Sequence, residues 1–151
     1  MMAVQKRNLG VNMKNYEIID HTADVGIKAY GKTLAEAFEN AAKGMFDIIT
    51  DKSEIEPIGQ YDIKLEAPNL EQLLVDWLSE LLYLNSAQNL VFGLFKVMEL
   101  DERKPKLYAR VFGEKFSLSK HKIGSEIKAV TYHILEVKNK KPFYVKVLFD
   151  I

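Results

Sequence analysis

Residues 33–51, TLAEAFENAAKGMFDIITD, carry the clearest structural signal in the chain. Their apolar side chains recur at intervals of three and four residues, which places them on one face of an α-helix. The members of this stripe are Leu34, Ala37, Phe38, Ala41, Ala42, Met45, Phe46 and Ile49. Thr33 followed by Glu36 has the spacing of a capping box, in which each side chain accepts a hydrogen bond from an orphan backbone N–H group. The stretch therefore predicts an amphipathic helix that begins after Thr33.

A second helix is predicted downstream by the same spacing. Its apolar stripe consists of Leu70, Leu73, Leu74, Trp77, Leu78, Leu81 and Leu82. Asn69 stands directly before the stripe, where an amide side chain caps a helix well. We interpret both stripes as surfaces that pack into the core.

Most of the remaining chain has the composition of β-strands. The predicted strands are residues 25–30, 61–66, 91–100, 107–112, 127–137 and 143–149. The charged connections at 101–105 and 139–142 are too short for parallel crossovers, so the strands they join must be antiparallel. We therefore predict an α+β fold: a single domain with a largely antiparallel sheet and two amphipathic helices covering one face.

Composition sets limits on the function. The 151 residues include 21 basic and 21 acidic side chains, so the net charge of zero gives no overall attraction to nucleic acid or anionic membranes. The absence of cysteine excludes disulfides, thiolate metal sites and cysteine nucleophiles. The chain has no secretory signal and no apolar run of the roughly 18 residues that span a bilayer, so we expect a cytoplasmic protein with no membrane partner. We expect residues 1–12 to be a flexible leader and residues 13–151 to form the domain.

The segment DHTADVGI, which begins at Asp20, is the first candidate for chemistry because it groups Asp20, His21 and Asp24. Acids between strands commonly cap turns through hydrogen bonds to nearby backbone N–H groups. The alternative is a hard-cation site, which needs several oxygen ligands and therefore a second acidic segment. Asp150, followed by the terminal carboxylate of Ile151, could supply it if the last strand lies beside the one that starts near Asp24.

Other chemistry has less support in the sequence. There is no Gly-x-Ser-x-Gly elbow, Walker A loop, dinucleotide fingerprint or paired-histidine zinc motif. His133 lies in a predicted strand, where a structural role is the simpler interpretation. The polar loop 117–125, which we expect to be exposed, contains Lys120, His121 and Lys122. Two interpretations of these residues are open: a solvated loop tip, or a contact with RNA phosphate.

Four segments together resemble the archease family. They are DHTADVGI, TLAEAFENAAKGMFDIITD, EIKAVTYHILEV and the terminal VLFDI, in that order. The resemblance extends from about Tyr16 to Ile151, and no departure occurs at the acids of these motifs.

The resemblance implies an accessory protein rather than an enzyme. Archeases assist a GTP-dependent tRNA-splicing ligase: they promote its guanylylation and multiple turnover, and they relax its nucleotide choice. The family binds a divalent cation through acids that correspond to Asp24 and Asp150, with Ile151 beside them and with Asp20 and His21 in the same loop. We expect Ca²⁺, with Mg²⁺ or Mn²⁺ as alternatives. The ligase is then the direct partner, and tRNA is met only indirectly.

Two other functions are compatible with the residues. One is a stand-alone metal-dependent hydrolase, with His21 or His133 as the base. The other is a chaperone-like or RNA-binding modulator of RNA-processing enzymes, which would use Lys120, Lys122, Lys140 and Lys141 and would bind tRNA in a salt-dependent way.

Overall fold

A computed structural model describes residues 15–21 and 23–151. Nine elements follow one another along this part of the chain: β1 (Tyr16–His21), β2 (Asp24–Gly31), α1 (Leu34–Thr50), β3 (Gly59–Glu66), α2 (Leu70–Gln88), β4 (Leu90–Asp101), β5 (Lys106–Lys115), β6 (Ala129–Lys138) and β7 (Phe143–Asp150). The predicted leader, residues 1–12, and Thr22 lie outside the described residues.

Both helices begin where the sequence predicts. The Thr33 side chain accepts a hydrogen bond from the backbone N–H of Glu36, and the Glu36 carboxylate accepts one from the backbone N–H of Lys32. At the second helix, the Asn69 side chain accepts a hydrogen bond from the backbone N–H of Gln72. Each cap satisfies backbone donors that have no partner inside the helix.

The strands form two antiparallel sheets. The four-stranded sheet has the order β1-β2-β7-β6, and the three-stranded sheet has the order β3-β5-β4. The last strand of the chain therefore lies in the middle of the first sheet, between β2 and β6. This arrangement places the first and last strands of the described chain in one sheet, on either side of β2.

The core lies where the helices meet both sheets. Helix α1 contacts β2 and β7 of the first sheet and β4 of the second, and α2 contacts β6 as well as the second sheet. Buried Trp77 of α2 donates its indole N–H to the backbone carbonyl of Phe38 in α1, at 3.0 Å. Because a buried indole N–H needs an acceptor, this bond also fixes how the two helices pack.

The predicted α+β class, the antiparallel pairing and the two core-facing helical stripes are confirmed. Of the first stripe, only Ile49 is not fully buried, and of the second only Leu70. The division of the strands between two sheets was not evident from the strand patterns. Neither helix in the described part of the chain is long and apolar enough to cross a bilayer.

Candidate functional site

The end of the β2–β7 pair brings two acids together. The strands run antiparallel in an unbroken register from Gly31 opposite Phe143 to Asp24 opposite Asp150. Residues directly opposite each other on paired strands project from the same face, with Cβ atoms about 4.5–5.5 Å apart. Asp24 and Asp150 are therefore neighbours at the end of the sheet.

The neighbouring strands extend this row on both sides. The backbone of His21 in β1 lies opposite Asp24, and Ala129 in β6 lies opposite Asp150. Asp20 instead lies opposite Val25, one position along, and belongs to the other face because side chains alternate along a strand. Of the two motif acids, the register thus joins Asp24 to Asp150 and directs Asp20 away.

The connection between β1 and β2 fixes the position of Asp24. Only two residues separate the paired His21 and Asp24, and the second of them, Ala23, has a φ of 64°. A left-handed conformation costs a residue with a Cβ about 1–2 kcal/mol. The strand pairing on both sides of the turn offsets this cost and keeps the turn tight. Strained backbone of this kind is concentrated at functional sites.

The backbone of Asp150 is anchored from the other side. Lys128 donates its backbone N–H to the Asp150 carbonyl oxygen at 2.7 Å. Ile151 follows outside the strand and is 38% exposed. Ile151 is therefore one residue beyond the acid pair, on a surface that solvent reaches.

The residues at this end suit a hard cation in chemistry but supply few side chains. Carboxylate oxygens are the preferred ligands of Ca²⁺ and Mg²⁺, and two like charges directly opposite each other destabilise a strand pair unless they are compensated. No group of three or more His, Asp or Glu side chains that could hold a metal occurs among the described residues. A cation here would need Asp24, Asp150, an oxygen of Ile151 and water.

A second acidic site, absent from the sequence-based predictions, lies at the loop between β5 and β6. The His121 side chain is fully buried, and its Nε2 lies 2.8 Å from a carboxylate oxygen of Glu114. The Ser117 backbone N–H donates to His121 Nδ1 at 3.0 Å. Because Nδ1 accepts a hydrogen bond, the ring proton is on Nε2, and this N–H donates a hydrogen bond to the Glu114 carboxylate.

The loop 117–125 is consequently not the exposed tip that we expected at His121. Gly124 packs so closely on the end of α1 that a Cβ would lie 2.0 Å from the Ile48 carbonyl oxygen. The backbone N–H groups of Gly124 and Ser125 donate to the carbonyls of Ile49 and Ile48. Leu118 and Ile123 remain exposed, so within this loop the expectation of exposure is wrong at His121, while Gly124 packs on the end of α1.

Glu114 is the most strongly compensated acid at this second site. Burial would raise its pKa, but hydrogen bonds from Lys120, from the backbone N–H of Glu56 and from His121 outweigh burial and lower the pKa to about 2. The same contact with Glu114, together with one to Glu56, raises the pKa of Lys120. Lys120 is thus engaged within the fold.

The residues of the two alternative functions are less well grouped. Lys120 and Lys122 precede β6, whereas Lys140 and Lys141 follow it, so the length of this strand separates the two pairs. His133 is exposed within a register break of β6, four residues beyond Ala129. The structure does not bring these four lysines together, and it does not place His133 in the row of the acid pair.

Comparison with known proteins agrees with the motif order and the fold. The model of the Archease protein family matches residues 16–151, which is most of the chain. The chain belongs to the archease family. The archease of Methanosarcina barkeri is 45% identical over 141 residues, covering 91% of this chain and 97% of the relative. That of Sulfurisphaera tokodaii is 40% identical over 133 residues, covering 88% and 95%.

Solved structures support the same family fold. The solution structure of Methanobacterium thermoautotrophicum protein 1598 matches with a TM-score of 0.79 and 36% identity, covering 92% of this chain and all of the other. A Thermotoga maritima archease, described as a possible chaperone, matches with a TM-score of 0.57 and 19% identity, covering 93% and 98%. At this lower identity the likeness concerns the fold alone.

Proposed function

We propose that this archease family member activates a GTP-dependent tRNA-splicing ligase in the cytoplasm, promoting its guanylylation and multiple turnover and broadening its nucleotide choice. Membership of the family is the reason for naming the ligase. The observation on this chain that carries the proposal is the register that sets Asp24 opposite Asp150. It groups two carboxylates at an exposed sheet end, where they can act on a partner.

A divalent cation fits this end of the sheet. Asp24 and Asp150 would hold it, with an oxygen of Ile151 beside them; Ca²⁺ suits the oxygen donors, and Mg²⁺ or Mn²⁺ are alternatives. The bound cation would supply positive charge. The acid pair serves the ligase in one of two ways. Either the end of the β2–β7 pair, held by the cation, forms part of the docking surface, or the carboxylates reach the ligase's own metal–GTP site.

The charge and motif content favour an activator over an enzyme acting alone. A net charge of zero gives little attraction to tRNA, but it suits a chain whose direct partner is a protein. Nucleotide-binding motifs are absent from the sequence, which fits a helper that leaves the chemistry to the ligase.

The test is the effect of Asp150→Asn on ligase guanylylation. We expect the purified variant to keep its fold and to lose most of the stimulation, because the amide removes one of two facing carboxylates. Labelled guanylate transfer to the purified ligase, with the variant titrated against it, measures this directly.

Asp62→Asn is the matched control. Asp62 is an exposed acid of the other sheet whose ion pair with Arg110 lies at the surface, so its loss should cost little stability and no stimulation. A well-folded Asp150→Asn protein that stimulates as fully as the control would refute the assignment.

A further inference from the structure

Beyond the acid pair, the same face of the first sheet carries a group of lysines and tyrosines. Four positions along the strands from Asp24 and Asp150, Lys28 lies directly opposite Lys146, and the next pair on this face is Tyr30 opposite Tyr144. At about 3.3 Å per residue, the lysine pair is roughly 13 Å from the acid pair. We call Lys28, Tyr30, Lys138, Tyr144 and Lys146 the lysine–tyrosine face.

The ammonium groups of this face are incompletely neutralised. The Lys28 ammonium lies 4.3 Å from the ring centre of Tyr144 and 5.4 Å from that of Tyr30, and Lys138 lies 5.7 Å from Tyr144. Among the described residues, no carboxylate lies within 4.0 Å of Lys28 or Lys138. Cation–π contacts hold these charges in place without cancelling them.

The nearby carboxylates are already bound to other groups. Glu17 accepts the Tyr30 hydroxyl at 2.6 Å, and Glu136 accepts the Tyr144 hydroxyl at 2.8 Å while lying 3.6 Å from Lys146. A hydrogen bond from a neutral hydroxyl leaves each carboxylate charged, so Lys28, Lys138 and Lys146 exceed Glu17 and Glu136 on this face by one positive charge. The two tyrosines are held in fixed orientations.

An open pocket lies at the end of these strands, where Tyr30 of this face meets Phe143 of the opposite face. It has a volume of about 740 Å³, and Tyr30, Pro142 and Phe143 form its apolar wall. Lys32 and Lys141 stand at its rim, and Glu36, the acid that lines it, is used in capping α1. The pocket is within the size range that holds a ligand or an inserted side chain.

We infer that the lysine–tyrosine face and this end pocket form a docking site for an acidic segment of a partner protein, which inserts one apolar side chain between Tyr30, Pro142 and Phe143 while its carboxylates meet the lysines. The partner that we identify is the ligase, and that identification rests on the proposed function. An apolar centre with a charged rim is the usual anatomy of a protein interface, and the charge of the rim selects an acidic partner.

A protein segment fits this site better than a single strand of RNA. Proteins that bind single-stranded nucleic acid without sequence preference use exposed aromatic faces on which bases stack. Here the Lys28 ammonium covers the rings of Tyr30 and Tyr144, and both hydroxyls are bound to glutamates. The tyrosines are positioned to shape a surface rather than to receive bases.

The experiment is a titration of the ¹⁵N-labelled full chain with a synthetic peptide in which a central Leu is flanked by Asp and Glu. We expect amide shifts at residues 28–32 and 141–146, and at least tenfold weaker binding by the double variant Lys32→Glu, Lys141→Glu. A peptide with Lys in place of the acids should not bind. The charge-matched control Lys104→Glu, Lys106→Glu alters exposed lysines at the far sheet and should bind like the unmodified chain.

Three outcomes would overturn the inference. One is the absence of shifts at these residues, or equal binding by both double variants when thermal unfolding shows them to be folded. Another is tighter binding of oligouridylate than of the peptide at the same amides. The third is a concentration-dependent shift of these amides in the free chain, which would show that a second copy occupies the site.

Assays with the ligase separate this inference from the proposed function. Lys32→Glu, Lys141→Glu should raise the concentration that gives half-maximal stimulation about tenfold and leave the maximum unchanged, whereas Asp150→Asn should lower the maximum. If the unmodified chain does not stimulate the ligase, the proposed function fails, and the peptide titration alone decides whether the docking site exists.

Discussion

The two acidic sites of this molecule differ in how their carboxylates are arranged. The Glu114 side chain is 7% exposed and contacts Lys120, His121 and a backbone N–H group. Asp24 and Asp150 instead lie opposite each other at the end of a sheet, so two acids share one face there. One site joins an acid to hydrogen-bond donors inside the fold, and the other places two acids side by side at a sheet end.

Under the proposed function, Glu114 serves the fold, and Asp24 and Asp150 serve the partner. Local features that work against stability are expected where a protein binds or acts, because other parts of the structure bear their cost. The strained φ of Ala23, next to Asp24, is a second such feature at the same end. The comparison predicts that substitutions at the two sites affect different measurements.

The largest effect is expected from Glu114→Gln. The substitution replaces the carboxylate that accepts hydrogen bonds from Lys120, from buried His121 and from the Glu56 backbone N–H by a neutral amide. Losing hydrogen bonds to a charged group costs about 1.5–3 kcal/mol of unfolding free energy. Urea denaturation measures it. Glu56→Gln is the control, because Glu56 contacts the same Lys120 from the surface and should cost less than about 1 kcal/mol. Equal losses would show that burial does not distinguish the two sites.

The same contacts predict an acid-sensitive contribution to stability. The folded-state pKa of Glu114 is about 2, below its usual value near 4.5. As the pH falls, Glu114 therefore takes up a proton in the unfolded chain at a higher pH than in the folded chain. Its contribution to the free energy of unfolding is complete above pH 4.5 and is lost as the pH falls toward 2. Between pH 5 and pH 3, the free energy of unfolding should fall less steeply in Glu114→Gln than in the unmodified chain. Parallel curves for the two proteins would contradict the stated role of Glu114.

The regular elements of this fold were predictable because their signals are local. Apolar spacing and the caps Thr33 and Asn69 define the helices, and the short charged connections define the antiparallel neighbours. The pairing of β2 with β7 is not local, since more than a hundred residues separate Asp24 from Asp150. Strand patterns allow this pairing but do not select it, so the sequence alone leaves the acid pair a hypothesis.

Burial of the loop at His121 was missed for a different reason. Lys120 and Lys122 flank His121, and three polar residues in a row normally indicate solvent. The available signal was Glu114, an acid within a strand that is otherwise largely apolar, seven residues before a histidine. A buried acid needs a hydrogen-bond donor, so Glu114 and His121 indicate a buried pair only when the two residues are considered together.

The smallest effect is expected at the acid pair itself. Without divalent ions, Asp150→Asn should stabilise the fold by up to about 0.5 kcal/mol, because it removes one of two facing like charges. In the unmodified chain, Ca²⁺ at ten times its Kd should add about 1.4 kcal/mol, and the variant should lose this gain. Thermal unfolding with and without CaCl₂ measures both. Asp20→Asn, on the opposite face, should keep the response to Ca²⁺; if it abolishes the response as fully as Asp150→Asn, the cation does not lie between the ends of β2 and β7.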